Sequence, residues 1–590
     1  MPVVSTGDGI VDAVEFSQPR SRGVLAGRAK TAACFGRHAL AGKPAGHLTF
    51  PCGKALDSLW DADIVLEERW CRALATAADG EIPAAWFSQE QVPVNTGGSL
   101  MRIGVFLAGF SAFAALVGAP AFAQDKPFAG VTVNVITQTG AIQEPLQRRA
   151  PEFEALTGAK INVIAVPFSD LYQKILTDWA SGTNSVDAGV FAPQWMVDYI
   201  AGGYLEDLTP RVEADKDIQQ DDVGAFFRDF SEKYSGKTYM ITLDGDFHMM
   251  YYRKDVLEAA GLAVPKTWDE YLEVAKATHG KDLSGDGTPD FGSCIAKKRN
   301  AQSYWFVTDV VGSMTQSKGT SQGTFFNTKD MTPLVNNDAF RKALDFLAES
   351  TKYGPPDELN LDVSDTRPLF ASGRCALNLD WGDVGTISID PKQSKVMGKW
   401  GAAIMPGSKE VLNWDTGKLE ACTAENCPHA IDGVNHAPFA AFGGWGGGIN
   451  AAADPKVKDA AYAYFSFMTQ PAQSNADVTV GGTGFNPYRT SQLSYSDLWK
   501  KAGMSEEEAK VYLGAINDSM SSPNMILDLR IPQNQKYQQV VLDEAVSRFL
   551  AGEIDKEATV AAVEEGWNEL NEETGKDEQL KLYKATIGAK

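Results

Sequence analysis

Apolar and polar residues alternate along residues 131–137 and 160–166, and residues 186–191 form a third, more apolar run. Alternation of this kind is typical of half-buried strands. Residues 142–156 and 169–181 instead place apolar side chains at helical spacing. The order strand, helix, strand, helix, strand predicts an α/β domain with a largely parallel sheet.

The loops that follow these strands are candidate ligand loops, because ligands of open α/β sheets bind outside the carboxyl ends of the strands. The three loops are residues 137–140, 167–170 and 191–195. The last of them carries Phe191, Gln194 and Trp195. We therefore expect these three side chains to lie near a ligand.

Residues 442–450 place five glycines around a single large aromatic side chain, Trp445. Glycine reaches backbone conformations that other residues avoid, and it lets two backbones approach closely. Such a run within an apolar chain predicts a crossover or a hinge that holds Trp445 where the backbone is exposed. The alternative interpretation is a glycine-rich turn with a core tryptophan.

Composition narrows the classes of partner. The chain has 590 residues and a formal net charge of −22. Nucleic-acid binding needs clustered Lys and Arg, and docking on anionic lipid needs the same charge, so this acidity argues against both partners. The length allows two or more domains.

Residues 101–123 have the pattern of a signal peptide. Arg102 precedes an apolar run at 103–117, and Ala121-Phe122-Ala123 forms a small-residue cleavage site. We interpret residues 1–100 as a non-native or unstructured extension upstream of Met101. The alternative is a native N-terminal region followed by a membrane span. The signal-peptide interpretation predicts export to the periplasm.

Four cysteines follow the predicted signal peptide. Cys422 and Cys427 lie in a polar stretch and are close enough in sequence to close a small disulfide. Cys294 and Cys375 are a second possible pair, which sequence alone does not decide. Disulfides are compatible with the oxidising conditions met by an exported chain.

One acidic loop is similar to a calcium-binding loop, with oxygen donors at alternate positions and glycine at the sixth. Ser293 stands at the twelfth position, where a bidentate Glu is usual. An Asx-rich turn is the alternative. The candidate structural calcium ligands are Asp282, Ser284, Asp286, Thr288 and Asp290.

Several short motifs, in this order along the chain, carry a family resemblance. They are residues 154–158, 203–208, 251–255, 261–262, 267–268, 373–381, 448–452 and 531–533. From about residue 101 to 590 the chain resembles the extracellular solute-binding proteins of bacterial ABC importers, in the maltose-binding-protein-like group. Residues 1–100 are not covered.

The resemblance implies a type II periplasmic-binding-protein fold, in which two α/β lobes joined by crossover hinge strands close over a ligand. The first lobe would comprise residues 124–247 with 446–515, and the second residues 248–445 with 516–590. The crossings would lie near residues 246–251, in the glycine run, and near residues 515–522. The resemblance also implies a monomer that delivers its ligand to a permease.

The ligand residues implied by the resemblance combine with the chemistry of sugars. Flat aromatic side chains cover the apolar faces of a sugar, and polar groups bond its hydroxyls, since a buried unpaired hydroxyl costs about 1–3 kcal/mol. Trp381 and Trp445 are the candidate faces. The full candidate set is Phe191, Gln194, Trp195, Asp246, Trp381, Trp445, Arg489 and Tyr537.

Departures from the family pattern narrow the range of expected ligands. The loop at 137–141 lacks the acid–lysine pair of maltose binders, and Phe191 replaces a tryptophan. Another sugar or a polyol is therefore expected, with no cofactor required. A polyamine is the alternative ligand. A glycoside hydrolase would need a carboxylate pair such as Asp244 and Asp246, and the sequence has no H-E-x-x-H metalloprotease motif.

Overall fold

The structure is a computed structural model that describes residues 126–590. The predicted N-terminal extension (1–100) and signal peptide (101–123) lie outside these residues. Among the helices from residue 126 onward, none has both the length and the apolar content that a membrane span requires.

The strands define two main sheets and three small ribbons. In chain order the strands are β1 (Thr132–Gln138), β2 (Lys160–Val166), β3 (Ala188–Phe191), β4 (Lys233–Tyr234), β5 (Lys237–Thr238), β6 (Ile241–Thr242), β7 (Met249–Arg253), β8 (Phe291–Ile295), β9 (Cys375–Asp380), β10 (Trp400–Ile404), β11 (Glu410–Asn413), β12 (Lys418–Ala421), β13 (Phe439–Ala440), β14 (Gly446–Ile449) and β15 (Ile526–Leu527).

Helices cover the faces of these sheets. In chain order they are α1 (Gln143–Thr157), α2 (Phe168–Ala180), α3 (Met196–Ala201), α4 (Thr209–Ala214), α5 (Lys254–Ala260), α6 (Trp268–Thr278), α7 (Ser303–Thr315), α8 (Asp338–Thr351), α9 (Val363–Ala371), α10 (Asp383–Ser388), α11 (Pro455–Thr469), α12 (Pro471–Asp477), α13 (Asp497–Ala502), α14 (Glu506–Met520), α15 (Asp543–Leu550), α16 (Lys556–Thr574) and α17 (Lys576–Ile587).

The first sheet has the strand order β2-β1-β3-β14-β6. Strands β1, β2 and β3 are parallel, as the alternating pattern predicts, and helices α1 and α2 connect them. Strand β14 comes from the glycine run and inserts antiparallel between β3 and β6. Its glycines fit there because Phe191, Leu205 and Phe465 fill the space that larger side chains would need.

The second sheet has the strand order β10-β7-β9-β8. Strand β7 is antiparallel to both β10 and β9, whereas β8 and β9 are parallel. Helix α6 packs on this sheet and begins at the predicted capping box, in which Thr267 and Glu270 bond reciprocally. Trp268 is buried at that helix start, as the sequence indicates.

Three segments carry the chain between the two sheets. Residues 243–248 lead from β6 to β7, and residues 441–445 lead from β13 to β14. The third lies upstream of its predicted place at 515–522. Arg489 donates hydrogen bonds to carbonyls beside the first sheet. The Trp499 ring lies 5.9 Å from the Tyr512 ring, beside the second sheet. The chain therefore crosses between residues 489 and 499.

Helix α14 packs against strand β10 of the second sheet. Its Tyr512 ring lies 6.2 Å from the Trp400 ring on β10. The predicted lobe division at residue 515 falls inside this helix. Residues 506–515, predicted for the first lobe, begin this helix, which contacts β10 of the second sheet.

Both cysteine pairs that the sequence allowed are disulfides. Cys294 and Cys375 join β8 to β9 with Cα atoms 6.0 Å apart. Cys422 and Cys427 close a loop of the second half with Cα atoms 5.6 Å apart. Both separations lie within the range that a disulfide spans.

Candidate functional site

A small cavity lies between the two sheets, with an unfilled volume of about 50 Å³. Pockets for drug-sized ligands usually measure about 300–1,000 Å³, so this cleft is nearly closed. Its lining residues are Gln138, Ala141, Ile142, Phe168, Asp246, Gln302, Trp305, Val363, Arg367, Trp381, Asp383, Phe442, Trp445 and Gly484.

Five aromatic side chains form the apolar walls of the cavity: Phe168, Trp305, Trp381, Phe442 and Trp445. The ring of Phe168 at the start of α2 lies 5.8 Å from Trp305 on α7 and 6.2 Å from Trp445. Trp305 lies 5.5 Å from Trp381, which directly follows β9. The walls therefore draw on both sheets and on the second crossing.

Charged side chains line the same cavity. Arg367 Nη2 on α9 lies 2.9 Å from Asp383 Oδ2 and 2.8 Å from Asp380 Oδ1. Asn486 Nδ2 donates to Asp246 Oδ1 at 3.2 Å and to Asp383 Oδ2 at 3.3 Å. A loop beside the first sheet thus bonds an acid on the first crossing and another beside the second sheet.

Burial shapes the electrostatics of this cluster. Loss of water raises the pKa of Asp246, and the neighbouring Asp244 and Asp383 charges raise that pKa further. Burial likewise raises the pKa of Asp380, although Arg367 opposes this. Burial alone would lower the pKa of Arg367, but the Asp380 and Asp383 charges outweigh it and the pKa rises. The site therefore concentrates acid around one guanidinium.

Two lining side chains hold buried polar atoms without partners in the described chain, the indole Nε1 of Trp381 and the amide Oε1 of Gln302. Buried polar atoms are nearly always hydrogen-bonded in native proteins. One of these atoms donates and the other accepts. A molecule with hydroxyl groups, which both donate and accept, satisfies both.

Three of the residues predicted to bind ligand line the cavity: Asp246, Trp381 and Trp445. Trp195 lies behind the wall, where its ring is 5.6 Å from Phe168 and its Nε1 donates to Gln535 Oε1 at 2.9 Å. Gln194 is buried and its side-chain amide has no partner in the part of the chain described, but it does not line the cavity.

The remaining three predicted residues lie elsewhere. Phe191 is a core residue of the first sheet, with its ring 5.0 Å from Tyr199. Arg489 is fully buried and donates to the carbonyl of Ile218 at 2.8 Å and to that of Gln219 at 3.2 Å. Tyr537 donates to Asn571 Oδ1 at 2.9 Å. Each makes internal contacts that hold the fold.

Sequence reasoning missed several lining residues. Phe168 lies in a predicted ligand loop and Phe442 is the first residue of the glycine run. Their positions in the sequence could therefore have indicated a place near the ligand. Trp305 and Arg367 lie on helices whose side-chain direction depends on tertiary packing. The polar, charged and aromatic lining residues missed are Gln138, Phe168, Gln302, Trp305, Arg367, Asp383 and Phe442.

The predicted calcium loop has the geometry of the alternative, an Asx-rich turn. Asp282 accepts hydrogen bonds from the backbone N–H groups of residues 285, 286 and 287. Arg374 lies 3.1 Å from Asp286 Oδ2 and 3.1 Å from Asp290 Oδ1. Within residues 126–590, no three His, Cys, Asp or Glu side chains converge as metal ligands. Calcium binding by Asp282, Ser284, Asp286, Thr288 and Asp290 stays a prediction.

Known proteins similar to this chain share its fold. The family model for bacterial extracellular solute-binding proteins matches residues 136–475, more than half of the chain. A probable amino-acid ABC transporter periplasmic-binding protein of Sinorhizobium fredii is 26% identical over 417 residues, 68% of this chain and 84% of the relative. A mannitol-binding protein of Pseudomonas aeruginosa is 25% identical over 335 residues, 56% of this chain and 67% of the relative.

Among solved structures, an ABC transporter solute-binding protein from Agrobacterium radiobacter K84 in complex with ribitol superposes with a TM-score of 0.63. It is 24% identical in sequence, and the match covers 75% of this chain and all of that one. The two lobes and their crossovers are those of the type II periplasmic-binding-protein fold, which confirms the predicted fold class. The chain belongs to the bacterial extracellular solute-binding proteins.

Proposed function

We propose that this protein is a periplasmic receptor that captures a small polyol or sugar between its lobes and delivers it to the permease of an ABC importer. The observation that carries the proposal is the cavity itself. Five aromatic side chains line it. The indole Nε1 of Trp381 and the amide Oε1 of Gln302 are buried in its wall without hydrogen-bond partners in the described chain.

The lining matches the two surfaces of a polyhydroxylated molecule. Its C–H groups would pack on the indoles of Trp381 and Trp445, since aromatic rings contribute large apolar contact area. Its hydroxyls would donate to carboxyl oxygens of Asp246 and Asp383, which accept hydrogen bonds. Both sides are needed because an unpaired buried hydroxyl is costly.

Size favours a small ligand over an oligosaccharide. The cavity holds about 50 Å³ of unfilled space between nearly closed walls. An acyclic polyol adapts to such a narrow space more easily than a chain of sugar rings. The mannitol-binding relative and the structural neighbour with ribitol support the same class of ligand.

Charge argues against a free amino acid, although one relative is named for amino-acid transport. An amino acid presents a carboxylate that needs a free cationic partner. Arg367 is the cation in the lining, and it is already within 2.9 Å of Asp383 and 2.8 Å of Asp380. The Asp383 carboxylate would repel a second carboxylate.

A polyamine is the second candidate, and the excess of acid favours it. Asp246, Asp380 and Asp383 surround the single guanidinium of Arg367. A bound cation would therefore reduce the excess of negative charge in the site. The raised pKa of Asp246 weakens this candidate, because a protonated acid attracts a cation less than a carboxylate does.

Catalysis is not part of the proposal. A glycosidase needs two carboxyl groups that flank the scissile bond. Asp244 does not line the cavity, and its Oδ1 accepts from the backbone N–H of Asn486 at 2.6 Å. We expect a purified sample to return its sugar or polyol unchanged and to bind without an added cofactor.

Capture would proceed by hinge closure of a monomer. Residues 243–248 and 441–445 contribute to the cavity wall and also join the lobes. Ligand bound between the lobes shifts the balance toward the closed form only by its preference for that form. The wall residues Asp246 and Trp445 therefore connect ligand contact to lobe position.

A thermal-shift screen tests the ligand class. Tetritols, pentitols, hexitols, monosaccharides, polyamines and amino acids would be compared at equal concentration, because a ligand that binds only the folded protein stabilises it by about 2.7 kcal/mol at 100 times its Kd. A rise in Tm with a polyol or sugar supports the proposal. A response restricted to polyamines would replace it with the second candidate, and a response restricted to amino acids would overturn both.

An Asp246→Asn variant makes the screen site-specific. The amide keeps the size of the side chain but weakens acceptance from a hydroxyl, so the polyol-induced rise in Tm should shrink. The matched control is Asp286→Asn, in the exposed loop that contacts Arg374 and outside the cavity lining. It should leave the rise unchanged, and an equal response of the two variants would contradict the assignment of the cavity.

A further inference from the structure

A second and larger cavity lies on the other side of the second crossing, with a volume of about 640 Å³. Ser231 Oγ donates to the carbonyl of Gly443 on this side, whereas Phe442 and Trp445 line the solute cavity. The second cavity is lined by residues that include Phe226, Phe230, Tyr234, Leu527, Arg530 and Leu582. Its volume is typical of a ligand pocket.

Arg530 is a buried cation in the wall of this cavity, and only 6% of its surface is exposed. Its Nη1 donates to the carbonyls of Phe230 and Lys233, the latter at 2.9 Å. Its Nε is buried without a partner, and its Nη2 donates to no group of the described chain. The guanidinium carbon lies 4.2 Å from the centre of the Phe230 ring.

No carboxylate of residues 126–590 lies within 4.0 Å of this guanidinium, since Arg530 forms no ion pair there. Burial lowers the pKa of Arg530 to about 10, which shows how strongly the site disfavours an uncompensated charge. The nearby Asp229 is exposed and already lies 3.4 Å from Lys233. Among residues 126–590, Arg530 therefore has no anionic partner.

Most of the remaining wall is apolar, and Asp229, Lys233, Ser235 and Thr586 are its polar members. The rings of Phe226 and Phe230 stack with centroids 5.2 Å apart. Leu527 is the last residue of strand β15, and Leu582 and Ile587 lie on helix α17. A ligand that fills this space needs an apolar body, and one that pairs with Arg530 needs an acidic end.

We propose that this cavity is a second ligand site that binds an amphipathic monocarboxylate. The carboxylate would accept hydrogen bonds from Arg530, and the aryl or alkyl part would pack against Phe226, Leu527 and Leu582. The proposal is independent of the solute bound between the lobes, because the two cavities have no lining residue in common.

Calorimetric titration with 3-phenylpropionate and with its neutral amide, 3-phenylpropanamide, tests the charge requirement on the unmodified protein. The acid should bind saturably with one site, and the amide should bind about tenfold more weakly, because it forfeits a charge-assisted hydrogen bond. Equal affinities for the two compounds, or no saturable binding of the acid, would overturn the proposal.

An Ala585→Trp variant tests the location. Ala585 lines the cavity from an exposed turn of α17, so a bulky side chain fills the space without removing a contact. Lys581→Trp on the same helix is the matched control, since Lys581 does not line the cavity. Binding of the acid should be lost in the first variant and kept in the second. Unchanged binding in Ala585→Trp would refute this location.

Discussion

Trp381 combines two properties that a polyol site needs, an aromatic face and an indole N–H. Its ring lies against those of Trp305 and His248, with centroids 5.5 and 4.1 Å away. Its Nε1 is buried without a partner in the described residues. The surrounding rings fix the indole in place, so the donor is oriented before the ligand arrives.

Replacing Trp381 by Phe separates these two properties. The Phe side chain keeps an aromatic face but removes the donor, so affinity for the polyol should fall about tenfold, the usual worth of a well-placed hydrogen bond. Isothermal titration calorimetry measures the change. Trp414→Phe, outside the cavity, is the control and should bind like the wild type. Equal affinity of Trp381→Phe and wild type would show that the N–H does not contact the ligand.

Glu232 predicts a pH dependence of stability. Burial raises its pKa from 4.5 to about 7, although the backbone N–H of Thr242 donates to it and partly opposes the rise. The folded form therefore holds this proton more tightly than the unfolded form does. Its contribution to stability is complete below pH about 4.5 and is lost as the pH rises through about 7.

A Glu232→Gln variant removes that titration. Its free energy of unfolding relative to the wild type should increase by about 3 kcal/mol as the pH rises from 4.5 to above 7, from a shift of about 2.5 pKa units. Urea unfolding at several pH values measures the difference. A difference that does not change with pH would contradict burial of an ionisable Glu232.

The predictability of the site varies from residue to residue. Asp246 and Trp381 follow from family resemblance together with sugar chemistry, because each lies at a strand end or crossing. Gln302 directly precedes helix α7 and Arg367 lies on α9, where spacing shows which face is apolar but not which cavity a polar side chain faces. Arg489 was assigned to the ligand, whereas its Nη1 and Nη2 donate to backbone carbonyls.

Among the structural elements, the second crossing has the tightest backbone. Gly444 adopts φ +87°, and a Cβ built on it would lie 2.0 Å from the carbonyl oxygen of Asp244. Two crossings therefore touch at the point where the lobes join. The glycine is needed for both its conformation and its lack of a side chain.

Gly444→Ala should disturb this junction. The clash with Asp244 adds to the strain of a left-handed backbone, so the loss of unfolding free energy should exceed the strain of about 1–2 kcal/mol alone. Gly552→Ala is a matched control with φ +74° and no atom within 4 Å of the added Cβ. Urea unfolding compares the two variants, and equal losses would mean that the contact between the crossings is not restrictive.

The disulfide between β8 and β9 closes a long loop, with a sequence separation of 81 residues. Removing it by Cys294→Ala with Cys375→Ala should lower the free energy of unfolding by about 4 kcal/mol through loop entropy. The disulfide between Cys422 and Cys427 closes a loop with a sequence separation of only 5. Removing it by Cys422→Ala with Cys427→Ala should lower the free energy of unfolding by about 2 kcal/mol. Denaturant titration of both variants measures the order, and a reversed order would contradict this account.

The elements that follow local patterns were predictable. Strands β1 and β2 and helix α1 lie within one or two residues of their expected bounds, and Gly158 caps α1 in a left-handed conformation. Strand β14 was not, because its Gly446-Gly447-Gly448 sequence has no strand pattern and its partners β3 and β6 lie far away in sequence. Only the tertiary fold makes that run a strand.

For the whole molecule, sequence periodicity predicted the α/β class and resemblance predicted two lobes. The third crossing was placed too far along the chain, because the signal for a helix such as α14 does not tell which sheet covers it. The arrangement that results puts five aromatic rings and an acidic cluster between two sheets. This combination is the basis of the proposed capture of a polyol or sugar.

The most direct measurement of that claim is a crystal structure of the complex with the ligand that raises Tm most. We expect electron density for a polyol or sugar between Trp381 and Trp445, with a hydroxyl within hydrogen-bond distance of Asp246 or Asp383. A ligand bound elsewhere, with the space between those two indoles free of it, would contradict the account.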